Sequence, residues 1–379
     1  MRVAILGQFP VDLTRLGGVE VAIVYLMDTL RSVGVDDLHI ITCRSELARP
    51  QTTTRNGVSL HYLPRRNQGR MTWHLREVGM MNALLREIKP DIVHGHSTGL
   101  YAGAALSSGF ANVITAHGIV AREVALYQGL GMRLRGGIDA LYERYCLGKA
   151  QDIIAISPYV EDIFRPLTKA RFHLVENAVG DSFFALTPQP EPERILFAGA
   201  VLERKGLIPL VRALAVVKHT HPQLELRIAG GTPDPRYHQA LVGEIDRLGI
   251  TRHVTFLGML DQERLLAEYR ACALSVMPSF QETAPMAVQQ SLAAAVPVVA
   301  TPAGGVPAIV TDGETGLLTP IGDSDALAAA ISRLLSDEPL RAAMGVRARA
   351  DAETRFKPEV VAHKTKAVYD MILSSAGRV

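Results

Sequence analysis

Apolar residues in this chain occur mainly as short continuous runs, and longer segments with apolar residues at helical spacing lie between them. Runs of Val, Ile and Leu without alternation are typical of parallel strands that are buried on both faces. The intervening helices would cover those faces. In the first half of the chain, the pattern predicts strands at residues 2–6, 37–42, 91–94, 112–115 and 152–156, with helices at 17–33, 73–88, 100–108 and about 132–147.

The same cycle begins again after a proline-rich polar segment, TPQPEPE, at residues 187–193. Such a segment is typical of an interdomain linker. Beyond it the pattern predicts strands at 195–198, 224–229, 254–257, 273–277 and 296–300, with helices at 207–218, 237–248, 262–271, 286–295 and about 358–373. We therefore predict an α/β fold with two doubly wound parallel-sheet domains that face a central cleft, where a ligand would bind.

Composition narrows the class of protein. With 379 residues the chain is long for a single core, and its 48% hydrophobic residues suffice for two. A formal net charge of +2 gives no reason to expect nucleic acid as a partner. The three cysteines, Cys43, Cys146 and Cys272, lie apart in apolar surroundings. They match neither a disulfide framework nor a metal site, which favours a reducing compartment.

The chain opens with MRVAILGQFP, which leads directly into a predicted strand and lacks the features of a signal peptide. No uninterrupted apolar run approaches ~18 residues, so we expect no membrane-spanning helix. We therefore expect a cytoplasmic protein whose only membrane contact would be peripheral.

The segment at residues 278–310 carries the clearest chemistry. A polar loop with a single acid, Glu282, follows a predicted strand, and the next helix is expected to begin with Thr283 as its N-cap and Pro285 in its first turn. A second strand leads to a glycine pair and another short helix. Two helix N-termini at the carboxyl edge of a parallel sheet favour a phosphate group, and a carboxylate beside them suits hydroxyl groups. The pattern indicates a nucleotide sugar as the ligand.

Several short motifs stand in an order and spacing that resemble those of the GT-B glycosyltransferases. They are GGVE (17–20), VHGH (93–96), TAHG (115–118), ISPYV (156–160), Asn177, GAVLERKG (199–206), FLGML (256–260) and the Glu282 loop. Within that fold the chain resembles the retaining family 4, the glycosyl transferases group 1, which use nucleotide-sugar donors. The resemblance implies two Rossmann-like domains, 1–187 on the acceptor side and 195–357 on the donor side, with a linker at 188–194 and a last helix, 358–379, that crosses back to the first domain. It implies no metal and no other cofactor.

The resemblance assigns the diphosphate mainly to Lys205, with Arg204 as a second cation. Ala200 stands where the family usually has an arginine, so one cation of the family pattern is missing. Gly17 and Gly18 follow the first strand and open a helix, where backbone amides could approach a phosphate without a side chain in the way.

Other donor-binding residues implied by the resemblance lie in two loops. They are Glu282, Thr283, Ala284, Pro285 and Met286 in one loop and Gly258, Met259 and Leu260 in the other. Glu282 would accept hydrogen bonds from sugar hydroxyls, and the backbone amides of its loop would assist, except at Pro285, which has no N–H. The second loop would hold the nucleotide base through its backbone. The family's second acid is Gln290 here, whose neutral carbonyl would accept more weakly from the ribose. Alternatively, Gln290 is an ordinary polar residue on a helix surface.

On the acceptor side, His117 matches a family histidine near the transferred sugar and completes the predicted catalytic set with Lys205 and Glu282. We expect His94 and His96 to point to opposite faces of their strand and therefore not to form a metal pair. One would line the cleft, for which we take His96, and the other would be a core histidine.

Arg133 and Arg135 stand among apolar residues in a region, 61–149, that has more basic than acidic residues. A basic and apolar mixture suits an anionic membrane surface or a lipid diphosphate acceptor. The alternative is a solvated helix face. Elsewhere, Asp323 and Asp325 resemble a metal-binding DxD pair, but they precede a predicted helix directly, and we interpret Asp323 as its N-cap.

The favoured function is transfer of a sugar from a UDP- or GDP-sugar to a glycan or lipid-linked acceptor, with retention of the anomeric configuration. Such a reaction would belong to polysaccharide or glycoconjugate synthesis at the inner face of the membrane. Two alternatives stay open: a nucleotide-sugar 2-epimerase of the same fold, and a catalytically silent sugar-nucleotide-binding subunit. Ala200 and Gln290 motivate the second alternative.

Overall fold

The computed structural model describes residues 1–10, 17–66, 72–124, 130–375 and 377. These residues divide into two compact units. The first unit contains the described residues up to 178 together with the C-terminal helix from Pro358, and the second contains 179–357. Each unit is built on one sheet flanked by helices, which confirms the predicted α/β fold with two parallel-sheet domains.

The first unit contains a sheet whose central strands are buried, β1 at every residue after Arg2 and β5 along its whole length. Its strands are β1 (Arg2–Leu6), β2 (Asp37–Arg44), β3 (Gln51–Arg55), β4 (Val58–Pro64), β5 (Ile92–His96), β6 (Ala111–Ala116), β7 (Asp152–Ala155) and β8 (Arg171–Leu174). Their order in the sheet is β3-β4-β2-β1-β5-β6-β7-β8. Every described pair of neighbours is parallel except β3 and β4. Carboxyl ends of the parallel strands therefore share one edge.

Helices cover both faces of this sheet, as expected for a doubly wound fold. In chain order they are α1 (Gly18–Leu30), α2 (Leu75–Ile88), α3 (Leu100–Leu106), α4 (Val120–Val124), α5 (Leu130–Lys149) and α6 (Pro158–Phe164). The apolar residues of α1 that face the core recur at helical spacing, and Ile23, Met27 and Leu30 are fully buried. The predicted helices at 17–33, 73–88 and 100–108 are thus present with slightly shorter ends.

The hairpin formed by β3 and β4 was not predicted. Between the two strands, Asn56 and Gly57 have φ angles of 48° and 75°, which is the left-handed backbone of a tight two-residue turn. Strand β3 is exposed along its whole length, so it has no apolar run to reveal it. The Asn-Gly pair was the available signal, because this dipeptide is a strong marker of a hairpin turn.

The second unit repeats the architecture with a fully parallel six-stranded sheet. Its strands are β9 (Arg194–Ala198), β10 (Glu225–Ala229), β11 (Val254–Gly258), β12 (Leu274–Met277), β13 (Val298–Ala300) and β14 (Gly316–Leu318), in the order β11-β10-β9-β12-β13-β14. Its helices are α7 (Asp181–Phe184), α8 (Leu207–Val217), α9 (Pro235–Arg247), α10 (Gln262–Ala271), α11 (Met286–Ala293), α12 (Ser324–Ser336) and α13 (Glu338–Arg355). Strand β9 therefore lies between β10 and β12, although β12 is a distant segment of the chain.

The division between the units falls at 178/179 and not at the predicted linker. The proline-rich segment instead lies within the second unit and is attached to the end of α10. Gln189 N donates to Arg270 O and Glu191 N donates to Ala271 O, both at 2.8 Å. Proline-rich composition predicted an extended segment, but these bonds hold it against a helix.

The C-terminal helix, α14 (Pro358–Ser375), belongs to the first unit and packs against α1. The hydroxyl of Tyr369, which is fully buried, hydrogen-bonds His94 Nδ1 at 2.6 Å. Lys364 Nζ donates to Glu176 Oε2 at 2.8 Å. A buried polar contact and an ion pair thus join this last segment to strands and loops much earlier in the chain.

Gln289, on α11, is fully buried, and neither Oε1 nor Nε2 has a hydrogen-bond partner within the described residues. An unsatisfied buried polar group costs about 1–3 kcal/mol. We therefore expect Gln289→Met, which keeps the volume and removes the amide, to raise the free energy of unfolding by about that amount. Thermal unfolding of the full chain measures the change.

Gln223→Met is the matched control for this substitution, because Gln223 is exposed, and we expect its Tm to stay near that of the wild type. A Tm for Gln289→Met below that of the control would mean that the buried amide is satisfied in solution.

Candidate functional site

Two loops of the second unit meet at the carboxyl edge of its sheet. One follows β9 and runs from Gly199 to Gly206, and the other, 278–285, follows β12. Because β9 and β12 are parallel neighbours, their loops emerge side by side. Phe280 N donates to Arg204 O at 2.8 Å, which joins the two loops through their backbones.

The two loops bring Lys205 and Glu282 into direct contact. Lys205 Nζ donates to Glu282 Oε1 at 2.5 Å, and Ser279 Oγ donates to the same oxygen at 2.7 Å. Arg204 Nη1 lies 3.7 Å from Glu282 Oε2. The Lys205 and Glu282 side chains are only 11% and 6% exposed. Lys205 is therefore a buried, paired cation and not a solvated surface lysine.

Gly206 permits this close approach of the loops. Its φ angle is +70°, and a Cβ atom at this position would lie 1.9 Å from Pro278 O. Any side chain would therefore collide with the backbone of the Glu282 loop and would also strain a left-handed residue. Geometry thus explains the Lys-Gly pair of the motif. Gly206 allows the close approach of the Pro278 backbone, and Lys205 binds Glu282.

Helix α11 begins at Met286, as the predicted range 286–295 has it, but its N-cap residue is Pro285. The prediction of Thr283 as N-cap is wrong. Because proline restricts the preceding residue to extended backbone, the chain stays irregular up to that point. The backbone N–H groups of Ala284 and Met286 have no acceptor within the described residues, so they are available to a ligand.

Gln290 is also part of α11 and is 7% exposed, so it is not an ordinary residue on a helix surface. The loop after β11 holds the other predicted donor residues. Gly258 has a φ angle of 68°, Gly230 N donates to Gly258 O at 2.8 Å, and Met259 is 45% exposed. The 258–260 turn therefore begins at the same carboxyl edge of the sheet as the Lys205 loop.

In the first unit, Gly18 is the first residue of α1 and Gly17 is its N-cap. The Gly17 N–H donates to Glu20 Oε2 at 2.7 Å. The amide that we predicted for phosphate binding is therefore already paired with a carboxylate of its own helix. Sequence reasoning quoted Glu20 in the GGVE motif but missed this role, although its position three residues after the N-cap was the signal.

Three histidines lie together at the carboxyl end of β5 and β6. The His96 Nδ1 and His117 Nε2 atoms are 2.7 Å apart, and the rings of His94 and His96 have their centroids 4.2 Å apart. The prediction that His94 and His96 point to opposite faces is wrong, because residues two apart on a strand project to the same face. His96 is 3% exposed, so it lies behind His117, which is partly exposed.

Burial keeps these histidines neutral. It lowers the pKa of His94 to about 3 and that of His117 to about 4, and it holds the pKa of His96 well below its usual value, with neighbouring histidines adding to the effect for His94 and His96. A neutral imidazole both donates and accepts a hydrogen bond, so each ring can bridge two groups.

Arg133 and Arg135 lie on α5, where both are exposed together with Leu134. Leu126 and Tyr127, two of the apolar residues that precede these arginines in the sequence, are outside the described residues. Asp323 is an N-cap as predicted, since its Oδ1 accepts from the amides of Asp325 and Ala326.

Within the part of the chain that the structure describes, no group of three or more His, Cys, Asp or Glu residues is arranged to hold a metal ion. No helix in the same ranges is long and apolar enough to cross a membrane.

Two family models match the chain in tandem. The model described as Glycosyltransferase Family 4 matches residues 16–183, and the model described as Glycosyl transferases group 1 matches residues 180–351. Together they cover residues 16–351, which leaves out β1 and α14 of the first unit and only the last residues of the second. This chain belongs to the GT-B glycosyltransferases of family 4.

Relatives of this glycosyltransferase extend the comparison. The D-inositol 3-phosphate glycosyltransferase of Corynebacterium aurimucosum is 28% identical over 58% of this chain, but the match spans only about half, 51%, of that protein. The sucrose-phosphate synthase of Thermosynechococcus elongatus superposes with a TM-score of 0.84 at 22% identity, covering 99% of this chain and 100% of that one. Anabaena HepE in complex with UDP-glucose gives a TM-score of 0.77 at 20% identity, covering 99% and 100%. The two structural matches show the shared fold.

The glycosyltransferase thus has its predicted residues in two groups. Lys205, Arg204, Gln290, the 258–260 turn and residues 282–286 lie in the second unit. The first unit contains the other predicted residues, which are Gly17, Gly18, His96, His117, Arg133 and Arg135. Sequence reasoning missed Ser279, although it stands three residues before Glu282 in the same loop.

The buried histidines predict a pH dependence of stability. The unfolded chain binds protons at these histidines below about pH 6.5, whereas the folded chain does so only near pH 4 or below, so the free energy of unfolding rises with pH across that window. Each such histidine contributes up to about 1.4 kcal/mol per pH unit. We therefore expect the Tm to fall steadily from pH 7 to pH 5.

His94→Gln should reduce the slope of Tm against pH, whatever its effect on Tm at pH 7. His363→Gln is the control, because the His363 side chain is 64% exposed and should leave the slope unchanged. Equal slopes for the wild type and His94→Gln would contradict the burial argument.

Proposed function

We propose that this glycosyltransferase moves a sugar from a UDP- or GDP-sugar to a glycan or lipid-linked acceptor, with retention of the anomeric configuration and without a metal ion. The observation that carries the proposal is the Lys205–Glu282 pair at the carboxyl edge of the second sheet, with Arg204 beside it. Cations at this edge suit a diphosphate, and the carboxylate suits sugar hydroxyls. HepE, whose structure contains UDP-glucose, supports the class of donor.

Charge stabilisation of the leaving group is the main chemical task. As the bond between the sugar C1 and the diphosphate oxygen breaks, negative charge develops on the diphosphate. The Lys205 ammonium and the Arg204 guanidinium supply the balancing charge. Lys205 is already held by Glu282 and cannot rotate into solvent, so little reorganisation is needed when the charge appears.

Glu282 has a second task in this proposal. Its Oε1 accepts from Lys205 and Ser279, whereas Oε2 faces Arg204 at a longer distance and can accept from a sugar hydroxyl. The free amides of Ala284 and Met286 supply donors beside it. Gln290, buried in the same helix, would accept from the ribose, and the 258–260 turn would hold the base.

Retention follows if the acceptor attacks from the face that the diphosphate leaves. In that same-face reaction the acceptor hydroxyl forms the new bond to C1, the bond from C1 to the diphosphate breaks, and the hydroxyl proton passes to a departing phosphate oxygen. His117, which is partly exposed and neutral, would hold a hydroxyl of the transferred sugar. No protein carboxylate is needed as a covalent nucleophile.

The acceptor class rests on the surface of α5. Arg133, Leu134 and Arg135 are exposed next to one another, and Leu141 on the same helix is 63% exposed. Basic and apolar side chains on one helix suit the head groups of an anionic membrane, where a lipid-linked acceptor would be presented. The protein would then act on the cytoplasmic side as a peripheral enzyme.

The first test is a thermal-shift screen with UDP-, GDP- and ADP-sugars, followed by transfer assays with the donor that binds. A ligand at 100 times its Kd stabilises the folded state by ~2.7 kcal/mol, which a melting curve resolves. Lack of stabilisation by every nucleotide sugar would refute the proposal.

An epimerised sugar after incubation with donor alone would indicate a 2-epimerase. Binding without turnover over a broad acceptor panel would indicate the silent subunit, which Ala200 and Gln290 favour.

Lys205→Met tests the assigned cation. We expect kcat to fall by about 10²–10³-fold, since removal of one preorganised charge stabiliser costs ~2.7–4 kcal/mol of barrier. The single substitution also leaves Glu282 buried without its partner. Melting curves of Lys205→Met and of the double variant Lys205→Met/Glu282→Gln therefore check that lost activity does not reflect lost folding.

Lys218→Met is the matched control for this experiment, because Lys218 caps the far end of α8 and donates to Leu248 O at 3.0 Å. Its kcat should match that of the wild type. Equal activity in Lys205→Met and Lys218→Met would remove Lys205 from the mechanism.

A further inference from the structure

The contact between His96 and His117 determines which ring nitrogen of His117 carries the proton. His96 is the last residue of β5, and His117 directly follows β6, which pairs with β5 in the sheet. The two rings are stacked with an interplanar angle of 20°, and His96 Nδ1 and His117 Nε2 are 2.7 Å apart. At this distance one of the two nitrogens carries a proton and donates it to the other.

Direct hydrogen bonding excludes a metal ion between these two atoms. Two nitrogen ligands of a tetrahedral zinc ion, each at about 2.1 Å from the metal, would lie roughly 3.4 Å from each other. The observed separation of 2.7 Å is shorter. The His96–His117 contact is therefore a hydrogen bond in its own right.

The other ring nitrogen of His96 decides the direction of this hydrogen bond. His96 Nε2 is buried and has no hydrogen-bond partner within the described residues. If His117 donated, neutral His96 would have to carry its proton on Nε2, as a buried donor without an acceptor. If His96 donates from Nδ1, only a lone pair is left unpaired at Nε2. Unpaired donors are the rarer case in protein interiors.

We propose that His96 is a positioning residue that donates from Nδ1 to His117 Nε2 and so fixes His117 as the Nδ1–H tautomer. The Nδ1 atom of His117 has no partner within the described residues and belongs to a partly exposed side chain. His117 then presents an N–H group, and not a lone pair, to its ligand. This inference rests on the proposed function, in which that ligand is a hydroxyl oxygen of the transferred sugar.

His96 acts through His117 and not by touching the sugar. The cavity beside the two rings, lined also by Glu176 and Asn177, has a volume of about 20 Å³. That is room for one water molecule and far too small for a sugar. The predicted acceptor-side role of His96 is therefore replaced by a supporting one.

Two-bond 1H–15N spectra of histidine-labelled protein test the tautomer directly, with His117→Asn used to assign the signals. The wild type should give the pattern of an Nδ1–H imidazole for His117. In His96→Leu, which has no donor, we expect that pattern to be lost in favour of Nε2–H or a mixture. An Nε2–H pattern for His117 in the wild type would overturn the proposal, whatever the enzyme's activity.

Kinetic measurements distinguish a positioning role of His96 from a purely structural one. His96→Leu should lower kcat about ten- to a hundredfold with little change in the KM for the donor, since a misplaced catalytic contact is felt in the transition state. His96→Asn keeps an amide N–H near the position of Nδ1 and should restore most of the lost kcat. His94→Asn is the matched control, because His94 is equally buried but bonds Tyr369 and Thr115 instead of His117.

We expect His94→Asn to stay within about threefold of the wild-type kcat. Equal losses in His94→Asn and His96→Leu would mean that the cluster matters only for packing, which also overturns the proposal. If the wild type shows no transfer with any donor, the proposed function fails, while the spectra still decide the tautomer.

Discussion

Parallel pairing is the constraint on which the whole arrangement depends. In a parallel sheet, neighbouring strands end at the same edge, so residues that follow two adjacent strands are brought together however far apart they lie in the chain. In the second unit this joins Lys205, after β9, to Glu282, after β12, across 77 residues of sequence. In the first unit it joins His96 at the end of β5 to His117 after β6. In both pairs, one candidate functional side chain is supported by a partner that follows the neighbouring strand.

The Lys205–Glu282 pair shows what such support means energetically. Either charge alone would be strongly disfavoured at this degree of burial, and removal of one partner from a buried pair typically costs about 3–5 kcal/mol. Their contact fixes the ammonium at one place, and Ser279 restricts the carboxylate further. A cation held in this way is oriented before any ligand arrives. The buried pair is therefore better explained by preorganisation for an anion than by stability, since a hydrophobic pair could stabilise the unit as well.

Sequence patterns were sufficient to predict those features that depend on interactions between residues close together in the chain. Continuous apolar runs located most strands of both sheets, and Asp323 was recognised as an N-cap because capping is a contact within one turn. The same patterns were insufficient where a contact joins residues far apart in the sequence. The ion pair between Lys205 and Glu282 requires β12 to lie beside β9, and no local pattern predicts that strand order. Burial of Gln290 and the position of the unit boundary at 178/179 likewise depend on packing. The hairpin at Asn56 and Gly57 is different, because its turn signal was present in the sequence.

The two departures from the family pattern, Ala200 and Gln290, act in opposite directions on charge. Ala200 stands in place of a cation and Gln290 in place of an anion, so the formal charge of the predicted donor-binding set is the same as in the family pattern. Lys205, Arg204 and Glu282 together leave one net positive charge at the sheet edge, which still favours a diphosphate. The loss of a single charge would leave the others unbalanced in a site of low dielectric, where an uncompensated charge is costly. Paired loss keeps the balance, so under the proposed function the electrostatic basis for holding a nucleotide sugar would survive both differences.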